Sequence, residues 1–152
     1  MRFEQRIEVK VDGPKVWEFL WDMERLARCL PGCQDVKELE PRQKYEVVVE
    51  ERIGPFKTRL EMNVTVVEMD KERKVRLLAV GKDKKLGAST RTELEVNLEA
   101  LASGGTALEI VAEIQVVGRI ASLGQVPIKR KAQDVIQRFA KAIEAELESK
   151  PV

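Results

Sequence analysis

The sequence predicts an α+β fold: a curved antiparallel sheet of seven strands wrapped around one long carboxyl-terminal helix, in the order β-α-α-β6-α. Three observations carry this. Residues 127–148 place Ile128, Ala132, Val135, Ile136, Phe139, Ala140, Ile143 and Leu147 at steps of three and four, one apolar stripe on a 3.6-residue period. Twenty-two residues of helix span roughly 33 Å, about the width of a small domain. Most of the preceding chain alternates apolar and polar residues, in runs separated by turn signals. Seven antiparallel strands with one dry face must curl, and the helix covers the open side.

Taken in order, Phe3, Gln5, Ile7, Val9 and Val11 face one side of a first strand and Glu4, Arg6, Glu8 and Lys10 the other. Asp12-Gly13-Pro14 breaks it, and Pro14 suits the first turn of a short helix holding Val16, Trp17, Phe19 and Leu20. Asp22 can cap a second short helix with Met23, Leu26, Ala27 and Leu30, which Pro31-Gly32 ends. Six strands follow, over residues 35–40, 45–52, 56–69, 74–81, 88–100 and 106–118. Turns at Glu40-Pro41-Arg42, Asp70-Lys71-Glu72-Arg73 and Ser103-Gly104-Gly105 favour successive hairpins, and Lys82-Asp83-Lys84-Lys85 forms a charged tip. Residues 1–149 read as one domain and 150–152 as a short tail. No internal repeat or linker interrupts them.

The 152 residues carry 27 Lys and Arg against 26 Asp and Glu, so no global field recruits nucleic acid or membrane. There is no histidine, which removes His-ligated metals, the Ser-His-Asp triad and the Cys-His pair. Cys29 and Cys33 are too few for a disulfide scaffold and read as small, partly buried thiols; no metal site is expected from them. No secretory signal and no run of 18 apolar residues is present, so the expected location is the cytoplasm.

Function is expected between helix and sheet. The inward positions near one end of the sheet hold Ala79, Gly81, Ala88, Thr90, Thr92 and Ala112, and the helix above them offers Ala132. Native packing density normally fills such space with larger side chains. Either the helix approaches the sheet closely, or a cavity opens that is apolar with a few hydroxyls, as suits a hydrophobic ligand. Tyr45, Val49, Leu60, Met62 and Leu77 share the inward face, and Ile128, Val135, Ile136 and Phe139 would roof the space. Gln5 and Tyr45 could bond a polar head group. Glu51 follows Tyr45, Val47 and Val49 on the inward face; it is either an acid with a raised pKa at an apolar rim, or a carboxylate that reaches water beside Gly54-Pro55. Arg119, Lys129, Arg130 and Lys131, with Lys82, Lys84 and Lys85, form a basic group that fits anionic lipid or an acidic partner, or is simply a solvated face.

Four short motifs occur in order along the chain: Leu30-Pro31-Gly32-Cys33, Ile53-Gly54-Pro55-Phe56, Gly105-Thr106, and Val117-Gly118-Arg119-Ile120-Ala121-Ser122-Leu123-Gly124. With the element order they resemble the CoxG family of carbon monoxide dehydrogenase subunits, within the helix-grip fold of the Bet v 1/START-like superfamily (SRPBCC, or polyketide cyclase-like). The resemblance implies a non-catalytic accessory protein with an apolar ligand cavity and no covalently bound cofactor. Its ligand would be a hydrophobic molecule such as a quinone, and its partner a molybdenum-containing hydroxylase of the carbon monoxide dehydrogenase type, with a peripheral link to the membrane. In such a fold Leu30 and Pro31 would border the cavity mouth with Glu51. Relatives often carry an apolar tail after a linker, whereas this sequence ends Lys150-Pro151-Val152, so stable anchoring by such a tail is not expected. Other superfamily branches are cyclases, hydrolases or dehydratases, and a ligand-free interaction domain is the third alternative. Two convergent titratable groups in the cavity would mark the former, a filled core the latter.

Overall fold

The computed structural model describes residues 1–149; the tail expected at 150–152 lies outside the described residues. Strand β1 (Arg2–Val9) is followed by helices α1 (Gly13–Leu20) and α2 (Met23–Cys29). Strands β2 (Cys33–Glu40), β3 (Lys44–Ile53), β4 (Phe56–Asp70), β5 (Lys74–Asp83), β6 (Ala88–Ala100) and β7 (Thr106–Gly118) come next. A 3₁₀ turn (Arg119–Leu123) leads into α3 (Gln125–Ser149). One antiparallel sheet holds all seven strands in the order β1-β7-β6-β5-β4-β3-β2, so each hairpin joins neighbours and β1 closes against β7.

Local chemistry sets the boundaries. The Asp12 and Asp22 carboxylates accept the backbone N–H groups of Lys15 and Arg25 at 3.2 and 3.3 Å, capping α1 and α2. Gly32 adopts φ +76, and a Cβ there would collide with the Glu50 carbonyl oxygen, so the turn after α2 can approach β3 only as glycine. Helix α3 starts two residues before the expected Pro127, which the first turn tolerates because its missing N–H would have no partner there. Strand β1 ends at Val9 rather than Val11. Strand β5 runs on to Asp83, whose buried carboxylate accepts N–H groups from Arg59 and Leu86 at 2.8 and 3.1 Å. Burial opposes the charge on Asp83, but these bonds and a further one from Lys85 outweigh it and hold the carboxyl below its ordinary range.

The main core lies toward the carboxyl end of α3. Ala140, Ile143 and Leu147 pack there with Val16, Trp17 and Phe19 of α1 and with Ile7, Val9, Val96, Leu108 and Ile110 of the sheet. Arg25 of α2 ties the two helices, bonding Glu146 at 3.0 Å while its guanidinium lies 4.9 Å from the Phe19 ring centroid. At the other end Ile128 joins Ile120 and Ala88 in a separate cluster, against which Ile53, Phe56, Leu86 and Leu123 pack. These residues come from the β3–β4 turn, the β5–β6 turn and the 3₁₀ segment. The outer face of the sheet is a ladder of ion pairs, with Lys74 and Arg76 on β5 meeting Glu68 on β4 and Glu95 on β6.

Candidate ligand-binding site

Strand register sorts the small residues into two groups. Ala112 is 1% exposed and packs with Phe3 and Ile136, while Ala132 lies against the same cluster. Ala88 is 3% exposed beneath Ile120 and Ile128. At Ala88 and Ala112 the small side chains admit close packing, the first of the two alternatives above, while Ala132 stays partly exposed. The reason is non-local: Phe3 and Ile120 reach in from β1 and the 3₁₀ segment.

Further across the sheet the inner-face side chains are less completely covered. Leu60, Met62 and Val64 of β4, Leu77 of β5, and Thr90 and Thr92 of β6 share the inner face, since Val64 pairs with Ala79, Ala79 with Thr92, and Gly81 with Thr90. All six remain partly exposed, whereas Phe3, Ile7 and Val9 of β1, Tyr45, Val47 and Val49 of β3, and Leu108, Ile110 and Ala112 of β7 are buried. Helix α3 lies chiefly against β1 and α2 and lightly on β3, and it meets β5 and β6 through the clusters that hold Val75, Ala88 and Val96. Lys131 turns toward β3, and Val135 and Phe139, four and eight residues on, follow it along the same flank. Both are partly exposed. Phe139 therefore departs from the full burial its place in the stripe implies: it packs against the main core but stays partly exposed. Tyr45 and Val49 are buried in the β3 wall, and Ala79, also buried, lies in the floor. Met62 covers Gly81, where a Cβ would crowd Met62 and Thr90.

The rim is polar and tied down. The Glu51 carboxylate accepts from Lys131 Nζ at 2.8 Å and from Arg138 at 3.2 Å, and the side chain is 17% exposed. It is neither an isolated acid in an apolar pocket nor a carboxylate in open water: it bridges β3 to α3. Lys131 is thereby committed to the rim and leaves the basic surface group, whereas Arg119, Lys129 and Arg130 are exposed. Leu30, Pro31 and Gly32 are partly exposed, and Gly32 lies against Glu51 and accepts the Glu50 N–H at 2.8 Å, so the α2–β2 turn does border this rim. Signals for the bridge were in the sequence, an inward acid on β3 and cations at 131 and 138, but the lateral register of helix and strand was not.

Among the described residues the Tyr45 hydroxyl and Trp21 Nε1 are buried without a hydrogen bond of good geometry, with Glu38 and the Arg42 backbone near the Tyr45 hydroxyl. Burial pushes the Tyr45 phenol above its ordinary range, helped by nearby Glu38. Both cysteines are free, Cys29 buried and Cys33 half-buried, and burial raises both thiols and keeps them in the poorly nucleophilic form. Two shallow grooves of about 250 and 420 Å³ lie on the opposite, outer face of the sheet. Arg76, Arg91, Glu93 and Glu95 line one together with Val67, Leu78 and Val111, and Glu46, Glu61, Lys82 and Lys84 line the other together with Val48 and Val80.

Comparison with known families places this arrangement. The model of the CoxG family of carbon monoxide dehydrogenase subunits matches residues 6–148. The chain belongs to that family. The helix-grip architecture of this CoxG chain recurs in solved structures. A conserved protein from Geobacillus kaustophilus is 23% identical, with 97% of this chain and 95% of that one covered and a TM-score of 0.84. A protein from Thermus thermophilus is 13% identical, with 97% of each chain covered and a TM-score of 0.73. A START superfamily protein from Mycobacterium smegmatis is 15% identical, again with 97% of each covered, at a TM-score of 0.70. At these identities they establish the fold alone. No curated protein matches the CoxG chain. Among the described residues no helix is long and apolar enough to cross a membrane.

Proposed function

We propose that this CoxG-family chain is a non-catalytic accessory carrier that holds a hydrophobic small molecule between α3 and the inner face of β4 to β6. One observation carries the reading: six side chains that face inward by register remain partly exposed while the two ends of the grip are packed. Leu60, Met62, Val64 and Leu77 supply apolar area, and Thr90 and Thr92 supply hydroxyls that can orient a polar group, which fits a quinone- or lipid-like guest. The Glu51 carboxylate is neutralised by two cations, so the rim offers no free carboxylate for acid–base chemistry. The family match supports an accessory role beside a molybdenum-containing hydroxylase of the carbon monoxide dehydrogenase type.

The test replaces Val135 with Trp, which fills the space from the helix side. The wild type is expected to take up a fluorescent apolar probe, and V135W to fold with near-normal stability and lose that uptake. If the wild type takes up no probe and V135W instead shows the roughly 1–3 kcal/mol cost of overpacking, the interior is full and the chain is an interaction domain. Where the wild type does take up the probe, native mass spectrometry of protein purified gently from its own host would name the ligand class.

A further inference from the structure

Helix α3 meets most of the molecule through apolar clusters, around Ile143 and Leu147, around Ile136 and around Ile128. Its seam with β3 is built differently. The inner-face cluster of β3, Tyr45, Val47 and Val49, draws its other members from α2, the α2–β2 turn, β2 and β4, and none from α3. Among the described residues of β3 only Ile53, at its far end, shares an apolar cluster with the helix. Charge crosses the rest of the seam. One oxygen of the Glu51 carboxylate accepts from Lys131 Nζ at 2.8 Å, and the other accepts from Arg138 at 3.2 Å.

Lys131 and Arg138 are seven residues apart, so a single carboxylate spans two turns of helix, roughly 10 Å. Val135 follows Lys131 by four residues and precedes Arg138 by three, which puts it on the same flank between the two cations. It is partly exposed. The backbone under the bridge is fixed. Glu51 pairs with Thr58 across the hairpin, and the buried Thr58 hydroxyl donates to the Glu51 carbonyl oxygen at 2.8 Å. Gly32 of the neighbouring turn accepts the Glu50 N–H at 2.8 Å. The parts free to move are the three charged side chains. Partly covered ion pairs exchange their partners for water at modest cost, whereas parting the core around Ile143 would expose apolar area.

We infer that the Glu51–Lys131–Arg138 bridge is a strap over a side entrance, through which an apolar guest passes between β3 and α3 beside Val135. The inference rests on the carrier reading and adds to it a route and its gate. A bridge that only fastened the helix would serve as well over a filled apolar contact, but here the β3 cluster beside it contains no residue of α3. The strap is closed in both the empty and the loaded protein and opens only during passage. It therefore sets the rates of exchange and leaves affinity alone.

The test is stopped-flow uptake and release of Nile red, a neutral apolar dye, by the full chain. Glu51→Gln is expected to raise both rate constants by about tenfold, the effect of removing one partly covered bridge from the barrier, while Kd stays unchanged. Lys131→Met breaks the same bond from the helix side and should act alike, which keeps the test open if Glu51→Gln folds poorly. Arg138→Met should raise the rates less, since Lys131 remains. Arg25→Gln is the control: it weakens the tie between α2 and Glu146 at the other end of α3 and should leave both rates at the wild-type value. Equal rates in the wild type and Glu51→Gln overturn the strap and leave the carrier reading standing. Equal acceleration in Arg25→Gln also overturns it, since the rates would then follow lost stability. Faster release with weaker binding shows that Glu51 contacts the guest, and overturns it as well. Uptake by Glu51→Gln with none by the wild type supports a strap that stays shut, and no uptake by either overturns the carrier reading and the strap together.

Discussion

The Glu51 bridge permits a quantitative test of how α3 is held to the sheet. Glu51 and Lys131 are 17% and 23% exposed at 2.8 Å separation, whereas Arg138 is 48% exposed and also holds Asp134 at 2.9 Å. Exposed ion pairs contribute about 0.2–1 kcal/mol. Removing one partner of a fully buried pair costs about 3–5 kcal/mol, because the other charge is left desolvated. The mostly covered Glu51–Lys131 pair falls between, so Glu51→Gln is expected to cost about 1.5–2.5 kcal/mol. Double-mutant cycles with Lys131→Met and Arg138→Met divide that cost. The coupling with Lys131 should be about 1–2 kcal/mol, and that with Arg138 about 0.2–0.5 kcal/mol, since Arg138 keeps Asp134 when Glu51 is lost. Urea unfolding at neutral pH, repeated at high salt, measures both, and the Lys131 coupling should survive salt better. A coupling with Arg138 as large as that with Lys131 would refute the reasoning, since it would mean the exposed pair anchors the helix.

Three further outcomes are expected. Gly32→Ala should destabilise by at least the roughly 1–3 kcal/mol of a forced left-handed residue, because its Cβ also meets the Glu50 carbonyl; a loss below about 0.5 kcal/mol, typical of surface sites, would show that the turn does not press on β3. Ile143→Ala should cost about 2–5 kcal/mol and Phe139→Ala clearly less than the roughly 3–5 kcal/mol of a buried Phe, because Ile143 is 2% exposed and Phe139 is only partly buried; the reverse order in chemical denaturation would contradict that burial. Asp83 has its folded-state pKa depressed, so its contribution is present above its unfolded pKa near about 4 and is lost as pH falls through the lower folded value. Asp83→Asn should therefore flatten the acid limb of the stability–pH curve below about pH 4. An unchanged acid limb would mean that Asp83 does not titrate with unfolding.

The elements were legible where a period or a cap encodes them. The stripe from Ile128 to Leu147 marked α3, and alternation located β6 and β7 to the residue. Asp22 signalled the cap of α2. What sequence could not supply were distances between elements remote along the chain. Ala88 and Ala112 look equally unfilled until Ile120 and Phe3 are placed over them. Phe139 belongs to the apolar stripe, but the stripe is wider than the surface α3 lays on β1 and α2, and the excess stays partly exposed. Glu51 is inward by alternation, yet the lateral offset of α3 decides whether it meets water or Lys131.

The pairing of β1 with β7 has a consequence for how the molecule is made. Arg2 meets Glu113 and Val9 meets Thr106, so the first strand waits for about a hundred residues of chain before it has a neighbour. Strands β2 to β7 are consecutive hairpins that can pair as they emerge, but the strand on which α3 chiefly rests is the last to be fixed. Closing that long loop is an entropic cost met late, and it ties assembly of the sheet edge to arrival of the carboxyl-terminal helix. During synthesis the inner face of the nascent sheet therefore lies bare until both ends of the chain arrive, and this is the interval in which the protein is most exposed to aggregation.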